Sequence, residues 1–556
     1  MPVLTASSCE VLVVGAGPVG LTMALELERH GLASRIVDCE EVPSDKSKAL
    51  VIWGRTLELL EPVEHLVADL QTEGVPAVAA SIYGNGQRLV HLEFDRDDTA
   101  YPRPLMIPQC DTERVLTRHL ADRGVAVERS VSLTDFTDDG QRVRAKLRHA
   151  DGREEIVNCP WLLGCDGAHS TVRKGLGFVF SGECEPNDWM LADVHLEGPL
   201  AHDEVSIFWH VLGIVAFFPI GRDRFRIVAD LGHASGSEKP ADPTLAAVQA
   251  TIHSRGLSHM RVYDPVWLSG FRIHERKVAD YSRGRVFLAG DAAHIHSPAG
   301  GQGMNTGMQD VCNLAWKLAL VHRGQGRTTL LDTYSLERSA IGEMVLRNAS
   351  RLTQLATLRN PILQFVRNHV ALLAGKLTAV QQRAVADLTE LAVHYPESPL
   401  NGDDAGQSWD GTLHCGDRVP DANLLDWPAR QPTRLLAQLA GTHHRLLIFP
   451  QSNDPEQLAA LAHAARSLGG EFGEQVQAQL VMPAVATDGL TAIGFQAGGF
   501  RSVLIDVDSQ VRQRFGIRGT AIALVRPDGY LGFRGHAESW LKLNEHLAGY
   551  LIPASK

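Results

Sequence analysis

Residues 10–38 read EVLVVGAGPVGLTMALELERHGLASRIVD, and this stretch decides the fold. It opens with an apolar run, passes through a cluster of glycines and continues with apolar residues at helical spacing. A second apolar run then ends in Asp38. Because strands and helices differ in the period of their apolar residues, the order strand, turn, helix, strand predicts one βαβ unit.

The glycine cluster has the spacing GxGxxG and consists of Gly15, Gly17 and Gly20. The first glycine permits a tight turn, the second lets the backbone approach a pyrophosphate, and the third allows close packing of the helix on the strand. The start of the helix offers free N–H groups to phosphates, and Asp38 can accept hydrogen bonds from ribose hydroxyls. This order of elements predicts a dinucleotide site, but the motif alone does not separate FAD from NAD.

Length and composition limit the classes of protein that fit. A chain of 556 residues is too long for one compact core, so two or three domains are expected. Acidic residues outnumber basic ones by 65 to 53, so neither nucleic acid nor an anionic membrane is expected as a partner. Eight cysteines occur without a CxxC pair, which predicts reduced thiols and no metal site. With no signal peptide and no apolar run long enough to span a bilayer, a cytoplasmic location is expected.

The rest of the chain changes its pattern several times. Alternating runs between residues 75 and 108, and strand-like runs between 187 and 272, predict a sheet that lies over the dinucleotide-binding part. A long helical region follows, from about residue 308 to 391. The segment 396–416 is rich in Pro, Ser, Asn, Gly and Asp, which is typical of a linker. Strand and helix patterns alternate beyond it and predict a separate small α/β domain.

Two later segments place an aspartate directly after an apolar strand. Residues 161–173 read WLLGCDGAHSTVR, with Asp166 at the turn, and residues 290–305 read GDAAHIHSPAGGQGMN, with Asp291 at the turn. A carboxylate at such a junction can meet a sugar-like hydroxyl. The helix that opens in the second segment can direct its N-terminal amides at a flavin carbonyl. Both segments therefore favour FAD as the dinucleotide.

In this order and at this spacing, the three motifs resemble those of the class A flavoprotein monooxygenases, the aromatic hydroxylases of the p-hydroxybenzoate and phenol hydroxylase type. The resemblance implies an α/β fold with a Rossmann-like FAD-binding domain and an inserted β-sheet domain for the substrate. The stretch VRPDGY at 525–530 is similar to the end of the thioredoxin-like third domain of phenol hydroxylase relatives and polyketide hydroxylases. Since the chain has no CxxC, packing or a homodimer contact is expected of that domain.

The domain boundaries follow from this resemblance and from the changes of pattern. The FAD-binding domain is predicted over residues 1–75, 109–186 and 276–395, the substrate-binding sheet domain over 76–108 and 187–275, the linker over 396–416 and the thioredoxin-like domain over 417–556. Members of this family have no separate NAD(P)H domain, so a single βαβ fingerprint is the expected number. No second GxGxxG follows a predicted strand.

The resemblance also assigns cofactor-binding positions. Asp291 matches the residue that contacts the ribityl chain of FAD, the Asp-Gly turn at 166–167 serves both FAD and NAD(P)H, and residues 298–305 lie beside the isoalloxazine ring. Gln109 matches a glutamine near the flavin, and Arg55 lies in a family stretch, Arg-Thr-Leu-Glu. The predicted cofactor-binding residues are Gly15, Gly17, Gly20, Asp38, Arg55, Gln109, Asp166, Gly167, Gly290, Asp291, Pro298, Gly301, Gly303, Met304 and Asn305.

The implied enzyme is an FAD-dependent monooxygenase that uses NAD(P)H and dioxygen on a small aromatic substrate, either phenolic or polycyclic. In the family, NAD(P)H reduces the flavin, dioxygen is held as a hydroperoxide at flavin carbon C4a, and its distal oxygen is transferred to an electron-rich ring. The cofactor performs the oxygen chemistry, while the protein positions the substrate and excludes water. The alternatives are Baeyer–Villiger insertion of oxygen, a flavin-binding protein without oxygenase activity, and a plain NAD-dependent dehydrogenase.

No catalytic base is carried over directly from the family. Phenol hydroxylase relatives have an aspartate a few residues before the Arg-Thr-Leu-Glu stretch, and this chain has Leu50 there. The candidate catalytic residues are therefore His210 on a predicted strand over the flavin, Arg276 to hold a phenolate or carboxylate, and Tyr281 to relay a proton. A histidine on an amphipathic strand also commonly has a structural role. The aromatic residues between 208 and 218 fit either a large apolar substrate or core packing.

Overall fold

The computed structural model describes residues 5–234, 236, 239–484 and 499–554 of the chain. Helices and strands alternate through the first part, and a mixed sheet with flanking helices forms the last part. Among the described residues, no helix combines the length and the apolar composition that crossing a membrane requires.

The strands fall into five sheets. In chain order they are β1 (Thr5–Ser8), β2 (Val11–Val14), β3 (Ser34–Val37), β4 (Val51–Ile52), β5 (Val75–Pro76), β6 (Ala79–Gly84), β7 (Gln87–Glu93), β8 (Leu105–Met106), β9 (Val127–Glu128), β10 (Val131–Asp138), β11 (Val143–His149), β12 (Glu154–Cys159), β13 (Trp161–Gly164), β14 (Ser181–Glu197), β15 (Glu204–Trp209), β16 (Val215–Pro219), β17 (Arg224–His233), β18 (Arg261–Lys277), β19 (Ser282–Arg283), β20 (Val286–Leu288), β21 (His294–Ile295), β22 (Gly402–Asp404), β23 (Asn423–Trp427), β24 (Pro432–Arg434), β25 (His444–Phe449), β26 (Val476–Pro483), β27 (Ser502–Asp506), β28 (Ala521–Val525) and β29 (Leu531–His536).

The helices lie between these strands and on both sides of the sheets. In chain order they are α1 (Pro18–Arg29), α2 (Gly54–Leu60), α3 (Leu66–Glu73), α4 (Gln109–Asp122), α5 (Thr171–Gly175), α6 (Leu245–Ser254), α7 (Gly303–His322), α8 (Asp332–Ala356), α9 (Pro361–Ala374), α10 (Thr378–Leu388), α11 (Leu435–Leu439), α12 (Pro455–Phe472), α13 (Gln510–Phe515) and α14 (Trp540–Ala548).

A six-stranded sheet carries the glycine motif. Its order is β19-β20-β13-β2-β3-β9, and its neighbouring strands are parallel except for the pair β19 and β20. All four residues of β2 and of β13 are buried, as expected for parallel strands that helices cover on both faces. Since the carboxyl ends of parallel strands share one edge, the loops after β2, β13 and β20 meet there. Those are the three loops that the sequence motifs occupy.

An eight-stranded sheet, β21-β18-β14-β17-β16-β15-β6-β7, forms the inserted domain. One face packs on α6 through an apolar cluster that includes Met190, Phe217 and Ile252. Residues of the other face pack against Leu50 and Trp53 of the FAD-binding part. The sheet runs past the predicted domain limits, since β14 begins before residue 187 and β18 ends after residue 275, because these two long strands pair along most of their length. Smaller sheets, β1-β12-β11-β10 and β4-β8-β5, complete this part of the chain.

The C-terminal domain is built on the sheet β22-β29-β28-β25-β26-β27-β23-β24. Two separate apolar clusters cover its faces, one with α12 and α14 and the other with α11 and α13. The segment 396–416, predicted as a linker, is part of this domain, because β22 pairs with β29 and the side chains of Trp409 and Leu413 are buried. Composition misled that prediction, since turn-forming residues also build edge strands with tight turns.

Buried charges join the C-terminal domain to α7 and α8. Glu337 accepts hydrogen bonds from Arg526 at 2.6 and 2.9 Å, from Lys317 at 2.7 Å and from Asn313 at 2.7 Å. Arg526 also contacts both carboxylate oxygens of Asp528, at 2.6 and 3.0 Å. Burial opposes ionisation of Glu337, but Arg526 and Lys317 outweigh it and hold the pKa of this carboxyl far below its ordinary value. The contact is therefore a compensated ion network.

Candidate functional site

The three motif loops touch each other at the edge of the six-stranded sheet. A Cβ atom added to Gly15 would lie 2.3 Å from the carbonyl oxygen of Cys165, directly before Asp166. One added to Gly290 would lie 2.8 Å from Cγ2 of Val19, on the first turn of α1. The glycine turn and both aspartate-bearing loops thus form one continuous wall, as a single cofactor site requires.

Each glycine of the first loop has a different environment. Gly15 has φ 100°, where a side chain would be strained, and a Cβ on Gly20 would lie 1.9 Å from the carbonyl oxygen of Gly15. A Cβ on Gly17 would meet no atom within 4 Å. Because Gly17 directly precedes the first turn of α1, this open backbone and the helix amides fit a pyrophosphate.

Asp38 closes the first loop from β3. Its carboxylate accepts hydrogen bonds from the backbone N–H of Ala16 at 2.6 Å and of Glu40 at 2.9 Å. A guanidinium nitrogen of Arg129 lies 3.7 Å away. The side chain is half-buried, so the carboxylate both fixes the glycine turn and stays within reach of a ribose.

Asp166 uses its carboxylate within its own loop. Ser170 Oγ donates to it at 2.5 Å, and the N–H groups of Thr171 and Val172 donate at 2.7 and 3.2 Å. Burial raises the pKa of Asp166 above its ordinary value, while these hydrogen bonds oppose the rise. Gly167 follows with φ 74°, which a tight turn at this point requires. Asp166 therefore shapes the wall of the cleft.

Arg173 ties the two aspartate-bearing loops together. Its guanidinium donates to the carbonyl of Ala168 at 2.7 Å and to that of Ala292 at 3.0 Å. These carbonyls lie next to Gly167 and Asp291, so one buried side chain sets the distance between the loops. Arg173 lies within the motif 161–173, but nothing in the sequence indicated its role.

Asp291 differs from the other two aspartates, because its carboxylate is exposed. It accepts no hydrogen bond from a side chain or backbone group of the described residues. The surrounding protein desolvates it and raises its pKa, whereas His294 and Lys48 lower it. An accessible carboxylate in a recess with no internal partner is suited to accept hydrogen bonds from a polyhydroxy chain such as ribityl.

A buried network under this loop holds it to α7. Asp310 accepts hydrogen bonds from the N–H of Gly290 at 3.1 Å, from His294 Nε2 at 3.0 Å and from Arg338 Nε at 2.7 Å. Burial opposes ionisation of Asp310, but Arg338 and His294 keep its pKa below the ordinary value. His294 thus has a loop-shaping position.

The segment 298–305 is fastened to β4 and α2. Asn305 is fully buried, accepts from Trp53 N at 2.8 Å and donates to the carbonyl of Val51 at 2.8 Å. A Cβ on Gly301, which has φ 63°, would lie 2.3 Å from Cγ1 of Val51. Asn305 therefore positions the segment, whereas the predicted residues Pro298, Gly301, Gly303 and Met304 keep surface that a ligand can reach.

Glu390 binds side chains of the first two turns of α7. Its fully buried carboxyl meets Thr306 Oγ1 at 2.9 Å and Gln309 Nε2 at 2.5 Å. Burial raises its pKa to about 8, against the opposing effects of Thr306, Arg338 and Gln309. The residue also has φ 59°, uncommon for a side chain of this size. No sequence motif indicated a role for Glu390.

Gln109 and Arg55 have structural partners. Gln109 accepts from the N–H of Ala49 at 3.0 Å and donates to Glu113 at 2.8 Å, which anchors the segment before β4 on α4. Arg55 is 2% exposed, contacts Glu58 at 3.1 Å and donates to the carbonyl of Asp528 at 2.6 Å. A side chain with so little free surface cannot also touch a ligand. The structure thus places Arg55 in the contact with the C-terminal domain, in place of the predicted cofactor contact.

Arg276 lies close in the fold to the loop of Asp291. It is on β18, paired with Ile295 of β21, and its half-buried guanidinium has no ion pair with a described residue. Burial and the charge of nearby Arg276 lower the pKa of Arg173. Since Arg173 binds the carbonyl of Ala292, both cations lie beside the loop of Asp291. Arg276 is therefore free to meet an anionic group.

Tyr281 and His210 occupy other positions than the sequence predicted. Tyr281 is fully buried, and a Cβ on Gly342 of α8 would lie 2.2 Å from its hydroxyl, so packing on α8 replaces the predicted proton relay. His210 lies one residue beyond β15, in the turn to β16, where burial and Arg255 lower its pKa. The turn signal of Gly213 was present in the sequence but was outweighed by the apolar pattern before it.

The sheet face towards the FAD-binding part carries an unexpected ion pair. Arg226 binds Asp193 at 2.7 and 2.8 Å, and its guanidinium also approaches the carbonyl oxygens of Lys48 and Ala49 at 3.4 and 3.3 Å. It lies 5.5 Å from the ring centre of Trp267. This pair connects the inserted domain to residues 48–49, and the charge of Lys48 acts on Asp291. In the sequence, Asp193 lies within the run LADV and Arg226 within FRIV, and a charge inside an apolar run was the signal for this pair.

The aromatic residues of β15 and β16 divide between the two faces. Phe208 and Phe217 lie on the α6 side, in an edge-on contact with ring centres 5.7 Å apart. Phe218 and Ile207 lie on the side of the FAD-binding part and are half-buried. Core packing thus accounts for the first pair, and only the second pair faces the cleft.

Comparison with known proteins identifies the class. Residues 8–349 match the family model described as FAD binding domain. The chain is 37% identical to 6-methylpretetramide 4-monooxygenase of Streptomyces rimosus, over 98% of this chain and 94% of that protein. It is 31% identical to pentachlorophenol 4-monooxygenase of Sphingobium chlorophenolicum, over 94% and 93%. The solved structure of the anhydrotetracycline hydroxylase OxyS from Streptomyces rimosus superposes with TM-score 0.74 at 29% identity, covering 98% of this chain and all of that chain.

The chain therefore belongs to the FAD-binding domain family. It is an FAD- and NAD(P)H-dependent monooxygenase, and the prediction of class, cofactor and α/β architecture is confirmed. The alternative of a plain NAD-dependent dehydrogenase is excluded by this membership.

Proposed function

We propose that this monooxygenase hydroxylates a polycyclic aromatic compound of the polyketide type, held between the inserted sheet and the segment 298–305. The observation that carries the proposal is the half-buried apolar surface of Ile207 and Phe218 on the sheet face towards the cleft. A flat ring system gains most from such a surface. The relatives named for tetracycline-type and chlorinated phenol substrates support the same class.

The cofactor is assigned to residues that remain accessible. The amides at Gly17 and the start of α1 bind the pyrophosphate, Asp38 the ribose and Asp291 the ribityl hydroxyls, while Pro298, Gly303 and Met304 border the flavin ring. Bound FAD, reduced by NAD(P)H, supplies the oxygen chemistry with dioxygen. The chain's own residues position the substrate and keep water from the ring.

Arg276 is assigned to the substrate's acidic group. Its charge has no partner among the described residues, and a cation within about 4–6 Å lowers the pKa of a phenol and favours the electron-rich phenolate. This would replace the carboxylate base that relatives carry where this chain has Leu50. Arg276 therefore supplies a positive charge beside the phenolate, and solvent accepts the proton of the phenol.

The test is substrate-stimulated oxidation of NADPH by the purified FAD-loaded enzyme, with a panel of phenols and polycyclic naphthoquinones and anthraquinones, under labelled dioxygen. We expect one labelled oxygen in the product and a preference for polycyclic compounds. Carbon NMR of the product separates a new hydroxyl from an inserted ester oxygen, which would instead support the Baeyer–Villiger alternative. Flavin reduction that no aromatic compound accelerates would contradict the proposal.

A matched pair of variants tests Arg276. Arg276→Met is expected to raise KM at least about tenfold and to move the pH optimum upward, since the phenolate loses its cation. Arg272→Met on the same strand removes a guanidinium that pairs with Asp188 at 2.7 Å, and it should leave the pH optimum unchanged. Equal pH profiles for both variants would remove Arg276 from the substrate site.

A further inference from the structure

Helix α9 buries polar side chains and exposes apolar ones. Arg367 and Asn368 are buried, with the Arg367 guanidinium 4.0 Å from the ring centre of Trp209 at the end of β15. Its apolar side chains point outward instead, each at least half exposed: Ile362, Leu363, Phe365, Val366, Val370 and Leu373. Four of these, at 362, 366, 370 and 373, follow one face of the helix. An apolar stripe on the outside of a helix needs a partner.

The apolar surface continues on both sides of α9. Leu352 and Leu355 at the end of α8 and Leu377 and Val380 at the start of α10 are each more than 40% exposed. With the six on α9, ten large apolar side chains are exposed within residues 352–380, and large exposed apolar patches commonly mark an interaction site. The surface is larger than isolated exposed residues would explain.

Basic residues predominate within the segment that forms this surface. Between residues 344 and 386 the chain has six Lys and Arg residues and no Asp or Glu, although the whole chain carries −12. Arg347, Arg359 and Arg383 pair with acidic groups outside this stretch. Arg351 and Lys376 are exposed without such a pair among the described residues. The net charge of −12 led to the expectation of no membrane partner, but it does not describe this local excess of basic residues.

We propose that the α8–α10 surface, defined by residues 352–380, docks on the surface of an anionic phospholipid bilayer. Apolar side chains of one helix face enter the headgroup region, while Arg351 and Lys376 lie at the level of the phosphates. In a symmetric contact the segment 344–386 of a second copy would offer these cations no carboxylate, so charge favours the bilayer over a dimer. The docking goes beyond the proposed reaction and does not depend on the substrate.

The experiment is co-sedimentation of the FAD-loaded full chain with vesicles of phosphatidylcholine alone or mixed with phosphatidylglycerol. We expect binding to the mixed vesicles that is at least about tenfold stronger than to neutral ones and that weakens with added salt. Phe365→Ser combined with Leu373→Ser should weaken binding at least about tenfold. Arg351→Glu combined with Lys376→Glu should weaken it and reduce its salt dependence.

The control is Leu541→Ser, on α14 of the C-terminal domain, where the side chain is 72% exposed. It should bind vesicles like the unaltered chain. All these positions are exposed, so bound FAD and the unfolding midpoint report whether each variant is folded. Absence of binding to anionic vesicles overturns the proposal. So does a dimer, detected by light scattering, that the Phe365→Ser, Leu373→Ser variant converts to monomers, because a second copy would then cover the surface.

Discussion

Two buried carboxyl groups that pack against α7, Glu337 and Glu390, are stabilised in opposite ways. In the C-terminal half, Lys317 and Arg526 surround Glu337 and hold its pKa far below the ordinary value. In the N-terminal half, only neutral groups bind Glu390, and burial raises its pKa to about 8. Glu337 is therefore ionised within a compensated ion network, whereas Glu390 keeps its proton near neutral pH.

The largest expected effect comes from breaking the compensated half. Arg526→Met removes the cation shared by Glu337 and Asp528, and we expect the free energy of unfolding to fall by about 3–5 kcal/mol. Denaturant unfolding of the FAD-loaded enzyme measures it. Asp97→Asn is the control, because it breaks an exposed pair with Arg514 and should cost about 0–1 kcal/mol. Equal losses in the two variants would contradict the assignment of a compensated network.

A second pair of variants sharpens the description of the cleft. Gly20→Ala places a methyl group against the carbonyl oxygen of Gly15 and should cost about 3 kcal/mol of stability along with FAD binding. Gly17→Ala meets no neighbouring atom, so the apo protein should keep its unfolding midpoint. Its affinity for FAD should nevertheless fall at least about tenfold, because the methyl group takes the space of a phosphate. Titration with FAD, followed by flavin fluorescence, checks this, and unchanged affinity would place the pyrophosphate elsewhere.

The smallest effect is a pH dependence from Glu390. Its pKa is about 8 in the folded chain against an ordinary value of 4.5, so only the unfolded state is ionised between these values. Stability attributable to this group is therefore present at low pH and is lost as pH rises to about 8. Glu390→Gln removes the loss, and its stability relative to the unaltered chain should increase by about 1.4 kcal/mol for each pH unit between pH 5 and pH 8. Unfolding curves at several pH values measure it; a constant difference would refute the raised pKa.

The local part of the site was predictable from sequence. Gly15, Gly17 and the two aspartate-bearing loops follow buried parallel strands, and the rule that such strands share a carboxyl edge brings them together. The apolar period of each strand and the spacing of the glycines were enough. The individual roles within the loops, such as the capping by Asp166 of its own turn, needed coordinates.

Contacts between distant parts of the chain were not predictable. Arg55 pairs with a backbone carbonyl 473 residues later, and no local pattern indicates that partner. The segment 396–416 has the composition of a linker, yet tertiary packing gives it an edge strand and a buried tryptophan. Glu390 follows the end of α10, and its role depends on its contacts with Thr306 and Gln309 of α7. In each of these positions, long-range packing decided what propensity left open.

The partnership of Arg55 with Asp528 has a consequence for biosynthesis. During translation, the arginine leaves the ribosome hundreds of residues before the carbonyl that it binds, and Lys317 emerges well before Arg526 completes its network. Until the C-terminal domain has been synthesised, these polar groups of the nascent FAD-binding domain stay hydrated, because burying them without their partners costs free energy. Chains released early, or shortened at residue 395 to isolate that domain, are therefore expected to be substrates for proteases and chaperones.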